Sequence, residues 1–114
     1  MSKRSDFDFA CDILEAINRI ESYIAGISYK KFAQDIKTQD AVVRNLEVIG
    51  EAAKNISNKL KDRYPGIPWK DMAGVRDRLI HHYFGVNLDI VWEIVDTELD
   101  EIIPGIKEIL KKGK

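Results

Sequence analysis

The chain reads as an all-α protein, an antiparallel bundle of four main helices plus one short helix, formed by residues 1–114 as a single domain. Three observations predict it. Apolar residues recur three and four apart in several separate stretches. No segment alternates apolar and polar residues with a period of two, and none carries a hairpin turn signal. The composition, 45% hydrophobic and 32% charged over 114 residues, suits a helix-rich globular chain long enough to bury a core.

Ser5 or Asp6 can cap the first helix. Ala10, Ile13, Ile17, Ile20 and Ile24 then form one stripe, and Gly26 is its expected stop. Cys11 lies just off the stripe and reads as a small packing residue rather than a nucleophile. Residues 28–36 read as a short helix with Tyr29, Phe32, Ala33 and Ile36 inward and Lys30 and Lys31 solvated. Thr38 or Asp40 is expected to cap a third helix running to about residue 60. Its apolar positions, Val42, Leu46, Ile49, Ala53, Ile56 and Leu60, make a heptad-like seam. Gly50 and Ala52–Ala53 lack bulk, so another helix can come close there. The seam serves an intramolecular bundle or a dimer.

Pro65, Gly66 and Pro68 stop that helix. Pro68 followed by Trp69 predicts a restart, and Met72, Val75 and Leu79 keep helical spacing. Gly85 and Asn87 allow a turn, and Asn87 or Asp89 caps the last helix. Trp92, Val95, Leu99, Ile102, Ile106 and Ile109 are its expected buried stripe. Pro104–Gly105 should kink it or end it early, and the lysines at 111, 112 and 114 suit a frayed carboxyl end.

Charge narrows the function. The formal net charge of −1 gives no global attraction to nucleic acid, so any polyanion site must be a local patch. Bases predominate from residue 54 to 82 and acids from 89 to 108. A single cysteine excludes an internal disulfide and points to a reducing compartment. No apolar run approaches a membrane span, and the start lacks the apolar core of a signal peptide. A cytoplasmic protein is expected. A Gly-rich phosphate loop, HExxH and paired-cysteine metal sites are all missing from the sequence.

Reactive chemistry collects in residues 74–84, which hold both histidines beside two arginines and a tyrosine. Arginine offers a planar donor fork suited to phosphate. Histidine can give or take a proton near neutrality. Arg76 and His81 are therefore the minimum parts for cutting a phosphodiester without a metal. The plainer reading is a cluster that neutralises a helix dipole. Adjacent His81 and His82 point about 100° apart on a helix and cannot chelate one metal as an i, i+4 pair would. Arg76 and His81 sit about 140° apart on a regular helix. Long side chains can narrow that gap, and a helix ending near His82, or a second copy across a two-fold axis, can bring them together. Arg78 faces away from Arg76 and reads as the partner of an acid such as Asp71 or Glu93.

Arg76-x4-His81-x-Tyr83 resembles the R-x4-H-x-Y signature of the HepT-like branch of the HEPN superfamily. Residues 43–53 (VRNLEVIGEAA) look like that family's long helix, and Ile67-Pro68-Trp69 and residues 86–92 (VNLDIVW) look like its flanks. The likeness covers roughly residues 6–109. It implies a toxin of a toxin–antitoxin module of type II or VII, similar to metal-independent endoribonucleases. It implies a homodimer with paired motifs along a cleft, RNA (tRNA among the candidates) as substrate, and no cofactor. It also implies a minimal nucleotidyltransferase (MNT-type) antitoxin that adenylylates the motif tyrosine. Carried over, Arg76 and His81 are catalytic and Tyr83 becomes O-AMP-tyrosine. Asp77 stands where the family often has Asn, and His82 where it often has Gly; both are auxiliary candidates. Two other readings are a non-enzymatic helical partner of a nucleotidyltransferase and a nucleotide-binding bundle.

Overall fold

In a computed structural model of the chain, residues 3–80 and 85–112 are described. The positions of His81, His82, Tyr83 and Phe84 lie outside them. Among the described residues every regular element is helical. α1 spans Asp6–Ile24, α2 Tyr29–Gln34, α3 Ile36–Asn55, α4 Asn58–Arg63, α5 Trp69–Ala73 and α6 Val75–Leu79. A last helical run comprises α7 (Leu88–Glu93), a π-helical turn (Ile94–Glu98) and α8 (Leu99–Lys112). α1 lies along α3 and α8, and α3 also carries α5 and α6.

The expected first helix holds in detail. Ser5 caps it, accepting from the Asp8 N–H, while the Asp8 carboxylate accepts from the Ser5 N–H, a reciprocal capping box. Ala10, Ile13, Ile17 and Ile20 are buried. They face Val42, Leu46, Ile49 and Ala53 of α3 in one core that continues into Leu99, Ile102, Ile106 and Ile109 of α8. The α3 seam is thus internal to one chain.

Several boundaries differ from expectation. Asp35 caps α3, not Thr38 or Asp40: its carboxylate takes the Thr38 N–H at 3.1 Å and the Thr38 hydroxyl at 2.6 Å. Ile36 therefore opens α3 and stands 71% exposed, and Phe32 alone of α2 is buried. α3 stops at Asn55, short of residue 60. Ile56 turns extended and stays buried, and Ser57 begins α4. The cause is remote. The Asp6 carboxylate accepts from the Ser57 N–H at 2.8 Å and from its hydroxyl at 2.6 Å, removing Ser57 from the helical ladder. The apolar spacing Ala53, Ile56, Leu60 runs through this break without a mark.

Pro104 sits inside α8 and does not end it, since the helix runs to Lys112. Proline removes a single backbone hydrogen bond, while Ile106 and Ile109 beyond it remain in the core. The irregular turn comes earlier, at the π-helical Ile94–Glu98, where the wider i→i+5 repeat lets Ile94, Val95 and Leu99 all reach the core. Val91 is fully buried there, and Trp92 only half.

Candidate functional site

The site is built from α5, α6 and the middle of α3. Pro68 starts α5, and α5 gives way to α6 at Gly74. Neither helix is long enough to stand alone. Buried Met72, Val75 and Leu79 hold them on the core. Close approach to α3 is possible because residue 50 is glycine. A Cβ there would meet Val75 Cγ1 at 3.0 Å and the Met72 carbonyl oxygen at 3.1 Å. The expectation that a helix could come near at Gly50 is met by the α5–α6 junction.

The far end of α6 is pinned separately. Ile80 and Val86 form an antiparallel β-bridge, and the Asn87 N–H donates to the Leu79 carbonyl at 2.7 Å. Gly85, at φ +80°, makes the return. Asn87 then caps α7, accepting from the Ile90 N–H, so the cap is Asn87 rather than Asp89. Ile80 and Val86 thus lie beside each other.

Arg76 and Asp77 are exposed on α6. Arg76 opens onto a cleft whose other wall is α3, with Arg44, Glu47, Glu51 and Lys54 along it. An adjoining hollow adds Asp77 beside Arg76 and Lys54. Among the described residues neither Arg44 nor Arg76 makes an ion pair, and Lys54 reaches Glu51 only at 3.7 Å. A guanidinium with free donors on a cleft wall can grip one phosphate through two oxygens. The sequence reading named Arg76 and Asp77 but not the α3 stripe. The signal was there: Arg44, Glu47, Glu51 and Lys54 follow helical spacing on the face that carries Gly50. The expected convergence of Arg76 with His81, and the places of His82 and Tyr83, lie outside the described residues. No group of three or more metal-ligating side chains converges among the described residues, and none of their helices is long and apolar enough to cross a membrane.

Arg78 points the other way, as its position two residues from Arg76 requires. Its partner is Glu98 on the π-helical turn, not Asp71 or Glu93. Two parallel hydrogen bonds of 2.9 Å join guanidinium and carboxylate, with both side chains about one-third exposed. Asp71 and Glu93 are near enough to reinforce it electrostatically. The bond to Glu98 raises the Arg78 pKa, and the bond to Arg78 holds the Glu98 carboxyl below its ordinary range. Glu98 therefore contributes stability that is complete above the unfolded glutamate value and lost as pH falls through the lower folded one. Glu98→Gln should cost about 1–2 kcal/mol at pH 7, allowing for solvent screening of the partly exposed pair. Urea titrations should show that cost shrinking as pH falls below the ordinary glutamate value of about 4.3 and the parent carboxylate is itself progressively protonated. A cost that stays constant across that window would exclude the ion pair as its source.

A helical bundle with an arginine that makes no ion pair among the described residues, exposed on a charged cleft and carried by a short pinned helix, defines a small α-helical protein with a cation on an open cleft. The family description "Ribonuclease HepT-like" matches residues 13–109. The chain belongs to that family. Among its relatives is the "Probable ribonuclease HepT" of Thermococcus cleftensis, 48% identical over 96% of this chain and 96% of the relative. The "Putative RNase MJ0127" of Methanocaldococcus jannaschii is 46% identical over 97% of this chain and 92% of its own. The "mRNA nuclease HepT" of Shewanella oneidensis is 29% identical over 78% of this chain and 84% of its own. No solved structure matches the chain.

Proposed function

We propose that this chain is the metal-independent endoribonuclease toxin of a cytoplasmic toxin–antitoxin module. The observation that carries the reading is Arg76: a guanidinium without an ion-pair partner among the described residues, exposed on a cleft, in a chain of the ribonuclease HepT-like family. Two chains form the working unit, and the R-x4-H segments of both line one groove.

His81 takes the proton of an RNA 2′-hydroxyl, and the 2′-oxygen attacks the adjacent phosphorus. A base with a pKa near neutrality contributes roughly 10²–10⁴-fold to such a step. Arg76 binds the phosphate and offsets the charge growing on its non-bridging oxygens. The partner's His81 returns a proton to the departing 5′-oxygen, leaving a 2′,3′-cyclic phosphate. Asp77 and His82, next to these groups in sequence, are auxiliary and take no proton-transfer step. A nucleotidyltransferase antitoxin then silences the site by moving AMP from ATP to the Tyr83 oxygen, with release of pyrophosphate. The new anion repels RNA and fills the groove mouth.

The purified chain should cut tRNA or total RNA equally with and without EDTA, leaving cyclic phosphate ends. His81→Ala should abolish the cut. Coexpression with the nucleotidyltransferase encoded beside it should add AMP mass that maps to Tyr83 and removes both cleavage and toxicity. RNA left whole by the unmodified dimer would point instead to a protein that only docks the nucleotidyltransferase. ATP or AMP binding to the isolated chain without RNA cleavage would point to a nucleotide-binding bundle.

A further inference from the structure

We propose that Arg44 and Lys54 of α3 bind RNA backbone phosphates on either side of the one held by Arg76. The cleft then acts as a track for several nucleotides rather than a socket for one phosphate. The proposal rests on the ribonuclease reading and extends it to residues that reading does not use.

Four observations carry it. Arg44 and Lys54 line the same cleft as Arg76 but come from a different element, so cationic side chains reach the groove from both walls. Ten residues of helix separate them, about 15 Å, more than one phosphate can bridge. Arg44 has no ion-pair partner among the described residues, and Lys54 has only a loose, exposed contact with Glu51 at 3.7 Å, which an arriving phosphate can displace. Gly50, between them in sequence, is where α5 and α6 press closest to α3, so the two walls keep a fixed spacing.

The same stripe holds Glu47 and Glu51, and their sign matters. They repel the backbone where it passes them, and together with Asp77 they leave the cleft with no large excess of positive charge. Phosphates are therefore gripped at points rather than attracted everywhere. This gives the proposal an unusual signature: on one exposed helix face, removing a base and removing an acid should move RNA affinity in opposite directions.

The test uses the full chain and a single-stranded oligonucleotide of about a dozen nucleotides with 2′-O-methyl riboses, whose blocked oxygen cannot attack phosphorus. Anisotropy titrations over a salt series compare the parent with Arg44→Ala, Lys54→Ala and Glu51→Gln. All three positions are exposed, and thermal melts verify that each variant folds. Arg44→Ala and Lys54→Ala should each weaken binding about five- to tenfold at low salt. Each should also reduce the slope of log affinity against log salt by about 0.7, the value for one phosphate contact on a single strand. Glu51→Gln should tighten binding. Parent affinity and slope in both Arg44→Ala and Lys54→Ala would overturn the track. The unmodified RNA of the same sequence separates the two readings. A parent that binds with an Arg44-dependent slope but never cuts removes the nuclease and keeps the track. A parent that cuts, with rate and slope indifferent to Arg44 and Lys54, keeps the nuclease and removes the track. A parent that binds no RNA removes both.

Discussion

Arg76→Ala should lower single-turnover RNA cleavage by about 10²–10³-fold, the usual cost of losing one preorganised donor to a developing oxyanion. The fold should barely notice. The Arg76 side chain is exposed and takes part in no ion pair or hydrogen bond among the described residues. The backbone of α6 is held by other groups: Val75 and Leu79 in the core, Arg78 on Glu98, and Ile80 on Val86. A surface substitution of this kind changes stability by no more than about 0.5 kcal/mol. Arg76→Lys should fall between parent and alanine variant, because an ammonium keeps the charge and loses the planar fork. The pairing of a large kinetic loss with an unchanged melt distinguishes a catalytic arginine from a structural one. Parent-like cleavage by Arg76→Ala would remove this residue from the mechanism.

Phe32→Ala should show the opposite pattern, a large loss of stability: about 3–5 kcal/mol, as for a fully buried phenylalanine. α2 is six residues long and cannot persist without tertiary contacts. Phe32 is its single buried side chain, at 0% exposure, and its ring packs on Trp92 with centroids 5.2 Å apart. Trp92 also receives the edge of Tyr29, whose hydroxyl donates to Asp89. These contacts tie α2 to α7. Truncation should therefore lower the overall stability and also loosen the first turn of α7 at Asn87. Urea unfolding measures the first effect, and amide exchange at Ile90 and Val91 the second. A cost below about 1 kcal/mol would mean that α2 contributes little to the fold.

Helical class, apolar stripes and several helix starts were legible because each is local. A stripe such as Ala10, Ile13, Ile17 and Ile20 expresses the 3.6-residue repeat, and caps at Ser5 and Asn87 act within three residues. Boundaries failed where a distant residue intervened. Asp6 holds the break at Ser57 from 51 positions away, and the one local sign, Ser57 as the cap of α4, was passed over because the apolar spacing continues through it. The partner of Arg78 was sought among nearby acids and is Glu98, delivered by a π-helical turn that apolar spacing does not reveal. For the candidate site, residues 74–84 stood out by composition and by likeness to a family, and the chain does belong to that family. The α3 wall went unread because its polar residues look like any solvated helix face until something is placed opposite.

By itself the sequence determined that this chain is helical, where most helices start, which faces are apolar, and that one short segment gathers its reactive side chains. Hydrogen-bond capping and helical periodicity act over a few residues, so they can be read from order alone. Only the tertiary structure decided that Arg76 shares a cleft with Arg44 and Lys54, and that Arg78 is spoken for by Glu98. The shared cleft depends on how closely α3 and the α5–α6 pair can pack. Here that distance is set by a missing side chain at Gly50, against Val75 and the Met72 carbonyl.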